Sequence, residues 1–177
     1  MTESSFISAS EIEGVVVRKP SRHDDSRGWL VEFFRDDEIE PVHRPAMGYL
    51  SVTKPGNSRG PHEHIDQSDC FFFPGPGEHL LVLWDNRKES PTYRHRMVFS
   101  AGGEIPLVVI VPPRVVHAYC CVSQKPGEVI NIPNRLYRGE GRSSAVDEVR
   151  HEDDPESPFT VDFKRLIAER AGEGEKR

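Results

Sequence analysis

Short apolar runs, many of them β-branched, recur along the chain between clusters of turn residues. Their length and period-2 alternation predict strands at 13–18, 29–34, 47–54, 59–64, 69–73, 79–85, 92–99, 105–111, 115–121 and 127–132. Turn chemistry separates them at Lys54-Pro55-Gly56, Pro74-Gly75-Pro76-Gly77, Ala101-Gly102-Gly103 and Lys125-Pro126-Gly127. Many short strands at close spacing predict an all-β domain, a sandwich or barrel. Residues 36–40 read as one helical turn. A different period follows the last strand. Val161, Phe163, Leu166 and Ile167 fall on one face of a helix, predicting a short C-terminal helix over 160–171 and a frayed polar tail after it. The run His151-Glu152-Asp153-Asp154-Pro155-Glu156 reads as a surface loop. Residues 1–177 form a single domain on this reading, with its core at about 12–155 and the helix and tail at 156–177.

Composition narrows the class. A chain of 177 residues is long enough to bury a hydrophobic core. Its net charge of −6, from 23 basic and 29 acidic residues, argues against a sequence-independent nucleic-acid binder. No apolar run approaches the ~20 residues that span a bilayer. Met1-Thr2-Glu3-Ser4-Ser5 lacks the basic and apolar regions of a signal peptide. Three cysteines, with Cys120 and Cys121 adjacent, make a poor disulfide framework and read as small buried residues. A cytoplasmic protein with no nucleic-acid or membrane partner is the expectation.

The candidate chemistry lies in two segments. In Ser58-Arg59-Gly60-Pro61-His62-Glu63-His64, the two histidines are two residues apart in a strand, so both rings take one face. In Pro112-Pro113-Arg114-Val115-Val116-His117, a Pro-bounded turn lets a later strand bring His117 toward the same place. Three imidazoles, Arg59 and Asp69 lining one pocket suit either a metal or an anionic, carbonyl-bearing ligand.

The order of these motifs resembles the dTDP-4-dehydrorhamnose 3,5-epimerase family over roughly residues 12–155. The resemblance rests on Asp25-Ser26-Arg27-Gly28-Trp29 with Glu32, on Ser58-Arg59-Gly60-Pro61-His62, on Asp85-Asn86-Arg87-Lys88-Glu89-Ser90-Pro91-Thr92-Tyr93, and on Pro112-Pro113-Arg114-Val115-Val116-His117-Ala118. It implies a cupin-type jelly roll that dimerises by exchanging an N-terminal strand. The implied substrate is a nucleotide-diphospho-4-keto-6-deoxy sugar, commonly dTDP-linked, and the implied reaction is epimerisation without a cofactor. The base histidine of the family falls on His62. A second histidine that stabilises the enolate falls on His117. The diphosphate-binding arginines fall on Arg27 and Arg59. Glu32 and Asn131 fall at substrate positions, and Trp29 is placed to stack on thymine or to pack on a sheet.

Three departures from the family pattern change the expected chemistry. Asp69 stands where the family has a lysine, and a carboxylate opposes a developing enolate. Asn131 stands where the family has its catalytic tyrosine, and an amide does not titrate near the pKa ~10 of a phenol. Tyr137 is the nearby alternative acid. The C-terminal acid that pairs with the base histidine has only Asp162 as a loose counterpart. Weak or absent two-centre epimerisation is expected in consequence. Arg-Gly-x-His-x-His also resembles the 3,4-ketoisomerases of keto sugars, in which paired histidines such as His62 and His64 move the proton along one sugar face. Two further readings remain open. His62, His64, Asp69 and His117 follow the spacing of a metal-binding cupin, and a non-catalytic protein could retain the sugar-nucleotide cleft.

Overall fold

The alternation seen in the sequence resolves into two facing sheets in a computed structural model that describes residues 12–174, with side chains to 170. Twelve strands follow in chain order: β1 (Val16–Arg18), β2 (Arg22–Asp25), β3 (Gly28–Val31), β4 (Tyr49–Thr53), β5 (Ser58–Glu63), β6 (Asp69–Phe73), β7 (Glu78–Asp85), β8 (Arg96–Gly102), β9 (Leu107–Val111), β10 (Val115–Cys121), β11 (Gly127–Asn131) and β12 (Val149–Arg150). One helix, α1, spans Phe163–Gly174. The first sheet has the order β1-β9-β6-β11-β4 and the second β12-β5-β10-β7-β8, while β2 and β3 form a separate hairpin. Every pairing is antiparallel.

Side-chain alternation builds three apolar layers from these two sheets. Phe71, Phe73, Leu107 and Val109 of the first sheet meet Leu81, Leu83, Val115 and Tyr119 of the second in the central core. On the outside of the second sheet, Leu80, Val82, Trp84, Val116 and Ala118 pack against Phe159, Val161, Phe163 and Leu166. Cys70, Phe72 and Val108, outside the first sheet, are covered by Val31 and Phe33, with the Phe33 and Phe72 rings stacked 4.7 Å apart. Cys70, Cys120 and Cys121 are free and buried, as small apolar residues. The result is the jelly-roll β-sandwich with a short C-terminal helix.

Several boundaries differ from the sequence reading. The strand expected over 92–99 starts at Arg96, because Ser90 and Thr92 turn the chain around Asp85 instead. Asp85 is fully buried and also accepts from the Arg87 guanidinium, so this cluster is structural. β2 gives no strand signal in the sequence because Arg22-His23-Asp24-Asp25 has no apolar face. β12, of two residues, carries no periodic signal. The turn expected at 36–40 is followed by a 3-10 turn at Pro41–His43. The helix begins at Phe163, where the Asp162 carboxylate accepts the Arg165 N–H at 3.1 Å and caps the first turn.

One local device shapes the site. β10 pairs His117 with His62 and Tyr119 with Arg59, so β5 carries one extra residue there. Gly60 lies in this bulge at φ 73°, and a Cβ on it would meet the His117 carbonyl oxygen at 2.5 Å. Only glycine permits that approach.

Phe73 is fully buried between the sheets. Phe73→Ala is expected to cost about 3–5 kcal/mol, read from urea unfolding midpoints. A loss under about 1 kcal/mol would show that this layer does not carry the fold.

Candidate active site

The bulge on β5 and the pairing with β10 set three imidazoles side by side. The His62 ring centroid lies 4.5 Å from that of His117 and 5.9 Å from that of His64. Two of these rings face an open cleft of about 1610 Å³. His62 and His64 line it, together with Tyr49, Ser51, Arg59 and Tyr119. His117, Asp69 and Asn131 are each at most 4 % exposed and lie behind that wall.

Asp69 organises the layer behind the wall. Its Oδ2 lies 3.2 Å from His64 Nε2 and 3.5 Å from His117 Nε2. Its Oδ1 accepts from Gln67 Nε2 at 2.9 Å and from Asn131 Nδ2 at 2.8 Å. A buried carboxylate requires such partners. Although burial alone would raise its pKa, the bonds and charge of His64, with His117 and Asn131, hold it below the usual carboxylate value.

The three histidines differ in state. Both nitrogens of His64 face acceptors, Asp69 on one side and the Asp147 carbonyl on the other. Burial works against a charge there. The hydrogen bond and field of Asp69, and then Asp147, outweigh it and raise His64 to about 9. His62 is pushed down to about 2, first by burial and then by His117 and His64. It is neutral with a lone pair available. His117 donates Nδ1 to the Val115 carbonyl at 3.1 Å and is also lowered, mainly by burial. The site thus pairs a neutral imidazole with an imidazolium.

The segment 133–152 closes one side of the cleft. Asp147 accepts the backbone N–H groups of Ile65, Asp66 and Gln67 at 2.8–3.0 Å. β12 pairs with β5 opposite His62 and Glu63. Buried Glu63 accepts from Asn86 Nδ2 at 2.8 Å and lies 3.0 Å from His151 Nε2, which ties this segment to the second sheet. The segment delivers Glu148 and Glu152, each with a carboxylate oxygen 3.9 Å from His62 Nδ1. Asp162, the loose counterpart read from sequence, caps α1 instead and lines a shallow groove away from the histidines.

The remaining expected residues divide in two. Arg59 lines the cleft and donates to Thr53 Oγ1 and the Val52 carbonyl, each at 3.2 Å. Tyr137 lines its rim and is 55 % exposed. Arg27, Trp29 and Glu32 are not on the cleft wall. Arg27 sits at the tip of the β2–β3 hairpin, 88 % exposed and bridged to Asp25, and Trp29 is half exposed with the Arg22 guanidinium over its ring. Four arginines that sequence reasoning missed, Arg135, Arg138, Arg142 and Arg150, line the cleft. The signal for three of them was the Arg-rich, Gly-interrupted stretch 135–142. Arg138 and Arg142 hold φ of 60° and 58°, a left-handed conformation uncommon for arginine and frequent at functional sites.

The family model for dTDP-4-dehydrorhamnose 3,5-epimerase matches residues 9–154. The chain belongs to that family. It is an isomerase of the sugar-nucleotide epimerase type. The chain is 34 % identical over 128 residues to the spore coat polysaccharide biosynthesis protein SpsL of Bacillus subtilis, covering 71 % of this chain and 82 % of SpsL. It is 35 % identical over 127 residues to the probable low-salt glycan biosynthesis epimerase Agl13 of Haloferax volcanii, covering 71 % and 81 %. Among solved structures, a double mutant of ChmJ, a 3'-monoepimerase from Streptomyces bikiniensis in complex with dTDP, superposes with a TM-score of 0.72. That match, 20 % identical over 89 % of this chain and 79 % of the other, shows the shared fold. Among the described residues, no helix is long and apolar enough to cross a membrane.

The charge on His64 has a defined pH window. A folded-state pKa raised from 6.5 to about 9 stabilises the folded protein below pH 6.5, and that contribution is lost as pH rises through 9. Asp69 behaves in the opposite sense, its contribution being lost as pH falls through its depressed value. His64 should titrate near pH 9 by NMR in the wild type. In Asp69→Asn the midpoint should fall, because burial is then opposed by Asp147 alone. A midpoint unchanged by the substitution would break the assignment of the charge to this pair.

Proposed function

We propose that the protein epimerises or isomerises a nucleotide-diphospho-4-keto-6-deoxy sugar by removing the proton beside the ketone. One observation carries this reading: His62 stands on the cleft wall beside His64, whose two ring nitrogens face Asp69 and the Asp147 carbonyl, in a chain of this family. His62 accepts the proton, and the electron pair moves into the enolate. The low proton affinity of His62 in the free cleft is a barrier to this step. The enolate charge and the carboxylates of Glu148 and Glu152 offset it as the imidazolium forms. His64 supplies the positive charge near the enolate oxygen. Asp69 does not replace the family lysine at that oxygen. It lies behind the wall, where it keeps His64 protonated.

Arg59 is the proposed diphosphate ligand, joined by the arginines of the segment 135–142, since a planar guanidinium matches two phosphate oxygens. Arg27 and Trp29 serve the cleft of a second copy on this reading. The hairpin that carries them projects from its own chain, and Leu30, Leu50 and Val52 are exposed by 63, 59 and 50 %. A homodimer by light scattering is the expected result, and a monomer at micromolar concentration would remove both residues from the site. The fold, the cleft and the names of SpsL and Agl13 support a role in building a surface polysaccharide or glycan from a dTDP-linked sugar.

With dTDP-4-keto-6-deoxyglucose in deuterated water, the wild type should incorporate deuterium at the carbon beside the ketone. His62→Asn should lose about 10²–10⁴-fold of that rate. Exchange at the wild-type rate in a folded His62→Asn protein would remove His62 as the base. NMR of the product separates inversion from a shift of the ketone to C3.

A second reading has its own observation. One nitrogen each from His62, His64 and His117 lie within 4.8 Å of one another, close enough for a single divalent transition metal. Proton transfer predicts that exchange survives dialysis against a chelator. Loss of exchange on chelation, with recovery on adding zinc or manganese, would favour the metal.

A further inference from the structure

Asn131 occupies the position of the expected phenol, yet the amide does not reach the cleft. It is 1 % exposed and lies behind the wall. The residue that does reach the cleft from this place is its cross-strand neighbour. β11 and β4 pair Asn131 directly with Tyr49. Asn131 Nδ2 donates to the Tyr49 hydroxyl oxygen at 2.9 Å. Tyr49 lines the cleft, whereas Asn131 does not.

We propose that Tyr49 is the acid that protonates the enolate carbon, with Asn131 as its positioning residue. This rests on the proton-transfer reading above.

Three features of the geometry carry it. First, the direction of the hydrogen bond is settled by Asp69. The same Nδ2 donates to Asp69 Oδ1 at 2.8 Å, and a reversed amide would set its oxygen against that carboxylate. Both amide hydrogens are therefore engaged, one with Asp69 and one with Tyr49. The phenol oxygen is an acceptor in this bond, so its own hydrogen is directed elsewhere. No described residue accepts it, and the cleft is the open side. Second, the two reacting groups come from different sheets. His62 stands on β5 of the second sheet and Tyr49 on β4 of the first, with the cleft between them. Inversion at carbon requires the proton to leave from one face and return to the other. Third, the phenol is kept protonated. Although 46 % of Tyr49 is exposed, burial of its hydroxyl end, with Asp69 adding in the same sense and the Asn131 bond opposing, moves its pKa up to about 12.

The step balances without a further reagent. His62 takes the proton and the C–H pair becomes the enolate. The enolate carbon takes the phenol proton, forming the new C–H bond on the opposite face. The tyrosinate accepts the Asn131 N–H bond and regains its proton from water at the open cleft, while the His62 imidazolium releases its proton to that water, so both groups return to their starting states. This changes the expectation of weak inversion read from Asn131. The phenol absent from β11 is present one strand away. Tyr137, at the rim, hydrogen-bonds through its backbone N–H to Met47 Sδ, and no bond to Asp69 or Asn131 fixes its hydroxyl.

The test uses the full chain with dTDP-4-keto-6-deoxyglucose in deuterated water, following exchange and inversion separately by NMR. The wild type should do both. Tyr49→Phe should still exchange within about threefold of wild type, because His62 can return deuterium to the original face. It should lose inversion by about 100-fold or more. The double variant Tyr49→Asn with Asn131→Tyr moves the phenol to the paired strand and should recover inversion to within about tenfold of wild type. Inversion at the wild-type rate by Tyr49→Phe would overturn the assignment. So would loss of both exchange and inversion in a Tyr49→Phe protein that still binds dTDP. A wild type that neither exchanges nor inverts would instead overturn the proton-transfer reading on which this inference rests.

Discussion

A single buried carboxylate imposes the arrangement of this site. Asp69 is almost wholly excluded from solvent, and its charge survives there only because four groups face it. His64 is one of them and becomes an imidazolium. Asn131 is another, and its amide is orientated by the demand for a donor. Gln67 and His117 complete the shell. Among the groups that reach the cleft from this cluster, His64 directly and Tyr49 through Asn131 take their protonation state or direction from Asp69. The acid at position 69 therefore does not simply make the site negative. It holds positive charge on a neighbouring imidazole that lines the cleft.

The second constraint is the close approach of β5 and β10. The bulge at Gly60 lets the His117 carbonyl come within a distance that any side chain would block. His62 is turned against His117 by that contact. Facing it, the segment 147–152 is tied down by Asp147 and by the Glu63–His151 contact. Glu148 and Glu152 thereby meet His62 without being part of any regular pattern. The side chains of the cleft come from strands of the two sheets and from a connecting segment held against them, so sheet geometry fixes His62 and the connecting segment supplies its acidic neighbours.

Much of this was legible in the chain. The period-2 runs located most strands because alternation is a local property of half-buried sheets. The spacing His62-x-His64 placed both rings on one face for the same reason, and the Pro-bounded turn predicted that His117 would return to them. The four ordered motifs identified the family. On that resemblance, Asp69 and Asn131 read as departures from the family pattern.

The consequences of those departures were decided by the tertiary structure. Tyr49 lies 82 positions before Asn131, and only the β4–β11 register makes them partners. Glu148 and Glu152 meet His62 through a two-residue strand with no periodic signature. The charge on His64 depends on acceptors at both ring nitrogens, one 5 residues away and one 83 residues away. Arg27, a motif residue, lies off the cleft of its own chain, exposed at the tip of the β2–β3 hairpin. Local pattern determines which face a side chain takes. Register and burial determine what it meets there, and the partners it meets set its charge, its hydrogen-bond direction and its chemistry.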